Sequence, residues 1–389
     1  MSMKNETNLV FTGDIGFDHY MNKKWEDPDL LSAGVVDLFK DADHVIVNLE
    51  GALVGPEAER VQSAEMRLMH TIDPAAVSVL RRIGARIWNL ANNHMMDAGA
   101  YGLQKTLEEA GRFGARTIGA GMNLGEAMRP IFFDEAGGIG LFAVGYRRGC
   151  KPADVDRAGC FLWHEMEKIR ETVAVIKKTC RWCVLVVHGG EEFTALPSPY
   201  TRDRYLQYLD MGVDVLVGHH PHVPMNYERI GDKAIFYSLG NFIFDTDYQR
   251  AQFHTEEGVI LTLSFTENGW RFRADGIKID RTCERIVPAA LPRIFVDIPE
   301  NEYALLSPLA TKMFIAATKR QQIFLYPEKF RNATEEEWLE HFLNPKRSGR
   351  VIGEGLDFHI LLEVAGEAEK GDWEKSSLTD IKNYILEQM

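Results

Sequence analysis

The feature that most constrains the fold is a series of short apolar runs, each ending in a polar or glycine-rich segment. The runs are rich in valine and isoleucine and alternate little, which is typical of strands buried on both faces. They lie at 9–12, 44–47, 86–90, 139–144, 183–187, 213–217 and 234–237. Segments with apolar residues three and four apart, such as Leu103, Leu107 and Ala110, lie between several of them and predict helices. This alternation predicts an α/β fold.

The pattern changes after the last of these runs. Residues 259–265 and 270–279 flank Asn268-Gly269, a turn signal that predicts a β-hairpin. Prolines become frequent from Pro288, and helical patterns follow at 309–319 and 335–343. We therefore predict one domain over residues 1–288 and a helical C-terminal extension over residues 289–389. No motif in the extension indicates its role.

Polar residues collect where the predicted strands end. In open α/β sheets the carboxyl ends of the strands face one crevice, and ligands bind there. Five of the 12 histidines lie at these ends. The segments are Gly13-Asp14, Asn48-Leu49-Glu50, Asn92-Asn93-His94 with Asp97, His188 with Glu191 and Glu192, His219-His220-Pro221-His222, and Gly240-Asn241.

Imidazole nitrogen and carboxylate oxygen together are the ligands of zinc, manganese and iron. The residues at the strand ends could serve one divalent ion, or two ions that share a carboxylate. The segment 219–222 is the strongest signal, because three imidazoles in four residues make poor core material. Single residues have simpler explanations, since Asp14 suits a turn and Asp97 a helix cap.

Charge and composition exclude some partners. The formal net charge is −13, which argues against binding to nucleic acid or to an anionic membrane surface. No apolar stretch has the length of a membrane span or a signal peptide, so we expect a cytoplasmic location. The five cysteines indicate reduced thiols, and Cys180-Arg-Trp-Cys183 fits core burial better than a redox motif.

Taken in order, these motifs resemble the CapA family of poly-gamma-glutamate capsule biosynthesis proteins, within the calcineurin-like metallophosphatase superfamily. The resemblance covers about residues 9–245. The matching segments are Gly13-Asp14, Asn48-Leu-Glu50, Ala91-Asn-Asn-His94 with Asp97 and Gly99, His188-x-Gly190-x-Glu192, Gly218-His-His-Pro-His-Val223, and Tyr237-Ser-Leu-Gly-Asn-Phe242. It implies a four-layer α-β-β-α sandwich with a metal centre at the strand ends.

The resemblance also implies roles for single residues. The metal ligands would come from Asp14, Glu50, Asn93, His188 and the histidines His219, His220 and His222. His94 would act as acid or base, with Asp97 and Glu192 as further catalytic groups. We take Asn48, Arg147 and Asn241 as candidate substrate contacts.

The sequence departs from the wider phosphatase pattern at the first strand. Those phosphatases carry Asp-x-His there, whereas this chain has Asp14-Ile15-Gly16, and Glu50 stands where they usually have aspartate. The missing histidine weakens one of the two metal sites. This favours a single metal, or a weak second one, and puts ordinary phosphoesterase activity in doubt.

Three functions fit these observations. The first is a metal-dependent hydrolase acting on a phosphoester or amide bond in polyglutamate, polysaccharide or peptide metabolism. The second is a metal-dependent peptide epimerase, in which His94 with Glu192 or Asp97 removes and returns an α-proton. The third is a non-catalytic subunit that binds a growing acidic polymer. The expected partner is accordingly a small molecule, a peptide or an acidic polymer, and the sequence does not indicate an oligomeric state.

Overall fold

The fold is built from strands of two main sheets and the helices that connect them. A computed structural model of the chain describes residues 6–55, 70–146, 150–334, 337 and 376–387. The strands are β1 (Thr7–Ile15), β2 (His44–Leu49), β3 (Ala52–Leu53), β4 (Thr71–Ile72), β5 (Ala85–Asn89), β6 (Arg116–Ile118), β7 (Ala120–Gly121), β8 (Ile131–Phe133), β9 (Ile139–Gly145), β10 (Gly159–Cys160), β11 (Trp182–His188), β12 (Val215–His219), β13 (Tyr227–Ile230), β14 (Lys233–Phe236), β15 (Asn241–Ile243), β16 (Glu257–Phe265), β17 (Trp270–Asp280) and β18 (Arg285–Pro288). The helices are α1 (Ala33–Asp37), α2 (Val77–Arg82), α3 (Gly99–Phe113), α4 (Leu124–Ala127), α5 (Met166–Lys177), α6 (Pro199–Met211), α7 (Asp247–Arg250), α8 (Glu300–Leu325), α9 (Pro327–Phe330) and α10 (Ser376–Leu386).

Two sheets contain most of the strands. The first has eight strands in the order β18-β17-β16-β1-β2-β5-β6, with β15 paired to β1. The second has six strands in the order β13-β14-β12-β11-β9-β8. Strands β1, β2, β5 and β6 run parallel, as do β9, β11, β12 and β14. The predicted hairpin is confirmed as the antiparallel pair β16–β17.

Three apolar cores explain why the central strands alternate so little. Phe11, Ile46 and Val184 belong to a core between the two sheets. A second core joins the outer face of the first sheet to α2 and α3, and a third joins the outer face of the second sheet to α5 and α6. Burying one such large apolar side chain stabilises the fold by roughly 1.5–3 kcal/mol. Helix, sheet, sheet and helix therefore form the predicted four-layer α/β sandwich, which is confirmed.

The strand register brings polar residues into two rows. In the first sheet Asp14 of β1 lies opposite Asn48 of β2 on one side and Asn241 of β15 on the other. Asn48 in turn lies opposite Asn89 of β5. In the second sheet His188 of β11 lies opposite His219 of β12. Because these are the carboxyl ends of parallel strands, both rows lie at the same end of the sandwich.

Two glycines permit close approach of backbones at this end. A Cβ atom on Gly13 would lie 2.2 Å from the carbonyl oxygen of Gly240, and one on Gly218 would lie 2.1 Å from that of Tyr237. Such distances are far inside van der Waals contact, so any side chain would push the strands apart. The glycine before Asp14 and the one before His219 are therefore required by packing.

The first helix of the C-terminal extension begins earlier in the chain than predicted. Helix α8 starts at Glu300 and includes Pro308, whereas the sequence pattern predicted a helix that starts after this proline. The hydroxyl of Tyr303 donates to the carbonyl oxygen of Pro197 at 2.7 Å, and Met313 packs in a core with Ala195. The extension therefore contacts the segment that follows β11. Nearly all of the predicted helix at 335–343 lies outside the described residues.

Two further predictions concern burial and membranes. Cys180 and Cys183 are both buried, as expected for core residues. None of the described helices combines the length and the apolar character that crossing a bilayer requires.

Candidate metal centre

The two rows of polar residues meet in one buried cluster. Ligand atoms of Asp14, Glu50 and His188 lie within 4.8 Å of one another, and so do those of Glu50, His220 and His222. All five residues are buried, and Glu50 belongs to both groups. Side chains from four separate strand ends thus converge, as the sequence predicted.

Glu50 has the surroundings of a metal ligand. Both of its carboxylate oxygens are buried, and neither has a hydrogen-bond partner among the described residues. Its Oε1 atom lies 3.6 Å from Nε2 of His188, 3.6 Å from Nε2 of His222 and 4.0 Å from Nε2 of His94. These distances are too long for hydrogen bonds. An unsatisfied buried carboxylate is costly unless a cation compensates it, so the donor set fits a divalent metal.

Electrostatics around Glu50 point the same way. Burial, with the neighbouring carboxylates of Asp14 and Glu192, raises the pKa of Glu50 well above its usual range. Burial also raises the pKa of Asp14, but its contacts with His219 and His222 outweigh that effect and leave the pKa lowered. In the absence of metal, two buried carboxylates therefore destabilise each other's charged forms, and a cation would relieve this repulsion.

The histidines favour their neutral form, which is the form that binds metal. Burial, followed by repulsion from His220, lowers the pKa of His188 well below its usual range. Burial lowers the pKa of His222 as well, although Asp14 and Glu192 oppose the shift. These imidazoles are thus available as ligands near neutral pH.

Asparagine amides hold the candidate ligands in place. The amide nitrogen of Asn48 donates to Oδ1 of Asp14 at 2.8 Å and lies 3.1 Å from Nδ1 of His188. Its own oxygen accepts from Asn89 at 2.8 Å. The predicted ligand Asn93 places Oδ1 2.7 Å from Nε2 of His188. Asn48 therefore positions Nδ1 of His188, while Asn93 contacts Nε2, the nitrogen that faces Glu50 and that would exchange this contact for a metal.

The histidine segment wraps around Asp14. Nδ1 of His219 lies 3.1 Å from Oδ1 of Asp14, and the backbone N–H of His220 donates to Oδ2 at 3.2 Å. His220 and His222 have φ angles of 98° and 59°, which residues other than glycine rarely adopt. Strained backbone of this kind concentrates at functional sites. His219 thus contacts the cluster through Asp14, whereas His220 and His222 face Glu50.

The expected substrate contacts have other surroundings. Asn48 and Asn241 are fully buried, and the oxygen of Asn241 lies 3.0 Å from Nδ1 of His222 while its nitrogen donates to Gln249 and Thr255. Both amides thus contact candidate ligands and other buried groups and do not reach the surface, which suits positioning of Asp14, His188 and His222. Arg147 lies outside the described residues.

The proposed catalytic residues occupy two places. Nδ1 of His94 lies 2.7 Å from Oδ2 of Asp97, and its Nε2 faces Glu50. Burial raises the pKa of Asp97 to about 6, and burial followed by repulsion from His70 lowers that of His94. Glu192 lies on the other side of the cluster, with Oε1 3.9 Å from Nε2 of His220. His94 and Asp97 thus form a pair, and Glu192 is separate from it.

Three residues near the cluster gave no usable sequence signal. Nδ1 of His70 lies 2.7 Å from Oδ2 of Asp18, and the His70 and His94 rings meet edge to face at 4.2 Å. Phe193 stacks on His222 at 5.8 Å. His70 lies outside the strand-end pattern, so only the three-dimensional arrangement reveals it. His19, which follows Asp14 closely in the sequence, is more than half exposed, and its Nδ1 atom lies 3.8 Å from Oδ2 of Asp247.

Comparison with known proteins identifies a family over the part of the chain that contains these residues. The sequence model of the family described as "Bacterial capsule synthesis protein PGA_cap" matches residues 8–246, which is more than half of the chain. That range includes each motif from Gly13 to Phe242 that carried the resemblance.

Individual relatives agree with this match. The "PGA biosynthesis protein CapA" of Bacillus subtilis (strain 168) is 29% identical over 274 residues, covering 69% of this chain and 70% of that protein. The "Capsule biosynthesis protein CapA" of Bacillus anthracis is 26% identical over 250 residues, covering 62% of this chain and 59% of that protein. Among solved structures, purple acid phosphatase PPD1 from yellow lupin aligns over 76% of this chain and 55% of that one, at 9% identity. Its TM-score of 0.34 is too low to carry an argument. On the sequence evidence, the chain belongs to the bacterial capsule synthesis protein PGA_cap family.

Proposed function

We propose that this chain is a metal-dependent hydrolase that acts on a phosphoester or amide bond in the metabolism of polyglutamate or a related polymer. The observation that carries the proposal is Glu50, a buried carboxylate with no hydrogen-bond partner among the described residues and three imidazole nitrogens within 4.0 Å. Burying a carboxylate without a partner destabilises an apolar core, so its presence here indicates a bound cation.

The chain offers two overlapping sets of ligands. Asp14, Glu50 and His188 form one set, and Glu50, His220 and His222 form the other. Mixed carboxylate and imidazole ligands suit manganese, zinc or iron. Because Glu50 belongs to both sets, it could bind one ion or bridge two. A divalent cation held there would polarise the scissile bond and make a nearby water molecule more acidic.

His94 supplies the proton transfer. Asp97 holds its Nδ1 atom at 2.7 Å, which leaves Nε2 facing the cluster. In that position the neutral imidazole can accept a proton at Nε2 from the attacking water and then give it to the leaving group, while the carboxylate of Asp97 fixes the ring's orientation and stabilises the charged form that is produced. Asn48 meanwhile contacts Nδ1 of His188, and Asn93 contacts Nε2, the nitrogen that would bind the cation in exchange for that contact.

The relatives' names suggest the class of substrate. Two of them are named for the biosynthesis of PGA or of a capsule. We therefore propose an acidic polymer, or a peptide or small molecule derived from one, as the substrate. A cytoplasmic location remains our prediction.

The test is turnover by the purified full-length chain. Model phosphodiesters and gamma-glutamyl peptides are incubated with manganese or zinc, and products are separated by chromatography. We expect cleavage that EDTA abolishes and that Glu50→Gln lacks. Glu228→Gln serves as the matched control, because Glu228 is an equally buried carboxylate whose oxygens bond to Arg202 and Tyr237. Cleavage that survives EDTA, or that Glu50→Gln retains, would contradict the proposal.

A peptide epimerase is the second candidate. Its support is the same His94–Asp97 pair, because an oriented neutral imidazole can also remove and return an α-proton. Incubation of gamma-glutamyl peptides in heavy water distinguishes the two. Deuterium at an α-carbon without bond cleavage would identify the epimerase, and cleavage would identify the hydrolase. Full biological function after joint substitution of Asp14 and His220 would instead indicate a non-catalytic polymer-binding subunit.

A further inference from the structure

We propose that His70, oriented by Asp18, is a second imidazole of the site and binds an anionic oxygen of the substrate beside His94. This inference rests on the proposed function, because it concerns the substrate of the same metal centre. It assigns a role to two residues outside the strand-end motifs.

His70 and His94 have the same local arrangement. In each, a carboxylate oxygen lies 2.7 Å from Nδ1, from Asp18 in one case and from Asp97 in the other. In each, Nε2 has no hydrogen-bond partner among the described residues. The side chains of His70 and His94 are 10% and 12% exposed, so both rings are mostly enclosed but retain a small exposed area.

Asp97 links the two pairs. Its Oδ2 atom contacts Nδ1 of His94 and also accepts the backbone N–H of His70 at 2.9 Å. The two rings meet edge to face with centroids 4.2 Å apart, and the ring of Phe244 packs against that of His70 at 5.1 Å. His70 is therefore fixed in position relative to His94, and a substrate that touches one imidazole lies within reach of the other.

The charges around the cluster explain what a second imidazole would do. Among the described residues, the ion-pair partners of Asp14, Glu50 and Asp97 are all histidines. An anionic substrate that enters this acidic site needs hydrogen-bond donors besides the metal. An imidazole N–H is such a donor, and the carboxylates of Asp18 and Asp97, which contact Nδ1 of the two rings, leave Nε2 of each ring for the substrate. The ligand is an oxyanion, either a phosphoryl group or a carboxylate.

The test measures binding, so that it does not depend on turnover. Full-length protein loaded with manganese is titrated calorimetrically with inorganic phosphate, and separately with gamma-linked diglutamate. We expect His70→Asn to weaken binding of at least one probe about tenfold or more, the value of one hydrogen bond to a charged group. The probe affected tells whether the site takes phosphoryl or carboxylate oxygens.

Three further variants separate binding from folding. His70→Gln places an amide nitrogen near the position of Nε2, so we expect it to recover part of the affinity. Asp18→Asn keeps the size of the side chain and removes its charge, and a weaker loss is expected. His44→Asn is the matched control, since His44 is a half-buried histidine at the opposite end of β2 whose ring packs against Phe133. It should bind both probes as the wild type does.

Metal content is measured by mass spectrometry on the wild type and on each variant after dialysis. This measurement separates a failure of the proposed metal-dependent function from a failure of the proposed role of His70. A wild type that retains no cation would refute the metal-dependent function itself. A wild type that retains cation but binds neither probe, or binds both only as tightly as His70→Asn does, would refute the role of His70 alone. Loss of cation in His70→Asn would make His70 a metal-site residue and also overturn the inference.

Discussion

Replacement of Glu50 by glutamine should have opposite effects on stability with and without metal. Glutamine has nearly the same shape and removes the charge that burial and the neighbouring Asp14 and Glu192 disfavour. In EDTA we therefore expect the variant to be at least as stable as the wild type. With metal present we expect it to be less stable, because it lacks a ligand that both candidate ion sets share.

The magnitude follows from mass action. A ligand at 100 times its Kd stabilises the folded state by about 2.7 kcal/mol. If the substitution weakens metal binding about 100-fold, the same metal concentration equals the new Kd and stabilises by only about 0.4 kcal/mol. The wild type should therefore gain about 2.3 kcal/mol more from metal than the variant does. For the predicted domain of roughly 290 residues, with an unfolding entropy of about 2.1 cal/mol/K per residue, this difference corresponds to about 4 °C in Tm.

The pH dependence has a defined sign. A carboxyl group whose pKa is raised on folding binds more protons in the folded state than in the unfolded state. Stability is therefore lost as pH rises from the usual pKa of Glu50, 4.5, toward its raised folded value. In EDTA the wild type should lose stability over this range, and Glu50→Gln should lose less.

Differential scanning calorimetry in EDTA and in manganese measures both effects, and Glu228→Gln is the control. That substitution leaves the buried charge of Arg202 without its partner, so it should destabilise the protein by roughly 3 kcal/mol in both conditions. Its shift on metal addition should equal that of the wild type. The reasoning is refuted if Glu50→Gln destabilises the metal-free protein, or if manganese raises its Tm as much as that of the wild type.

Three other substitutions test single contacts. Asn48→Leu removes the amide that donates to Oδ1 of Asp14 and contacts Nδ1 of His188, so metal affinity measured by chelator competition should fall about 10- to 100-fold; an unchanged affinity would refute the positioning role of Asn48. Gly13→Ala places a methyl group against Gly240, so the free energy of unfolding measured in urea should fall by about 1–3 kcal/mol. The control Gly111→Ala, which has open space in α3, should leave this free energy unchanged or raise it, and equal effects of the two substitutions would contradict the packing argument. Tyr303→Phe removes the hydrogen bond to Pro197 and should cost about 1 kcal/mol without changing metal affinity, so a change in affinity would show that α8 acts on the cluster.

Much of the fold and of the site could be predicted from local sequence patterns. Strands buried on both faces produce unbroken apolar runs, and parallel strands put their carboxyl ends at one edge, so the sequence alone is enough to group Asp14, Glu50, His188 and His220. The roles of the asparagines could not be predicted, because Asn48 and Asn241 contact ligands only through the register between neighbouring strands. His70 was missed for a related reason, since its partners Asp18 and Asp97 are distant in the chain.

The pairing of β1 with late strands has a consequence for synthesis of the protein. Asp14 accepts a hydrogen bond from the backbone of His220, 206 residues further along, and β1 pairs with β15 and β16, which come later still. At about 5–20 residues per second, the ribosome needs on the order of 10–40 s to make the intervening chain. During that time Asp14 and Glu50 have already been synthesised, whereas the histidines at 219–222 that contact them have not. Under the proposed function, cation capture would therefore be a late, largely post-translational event, and we expect that nascent chains that stop before β16 do not retain metal.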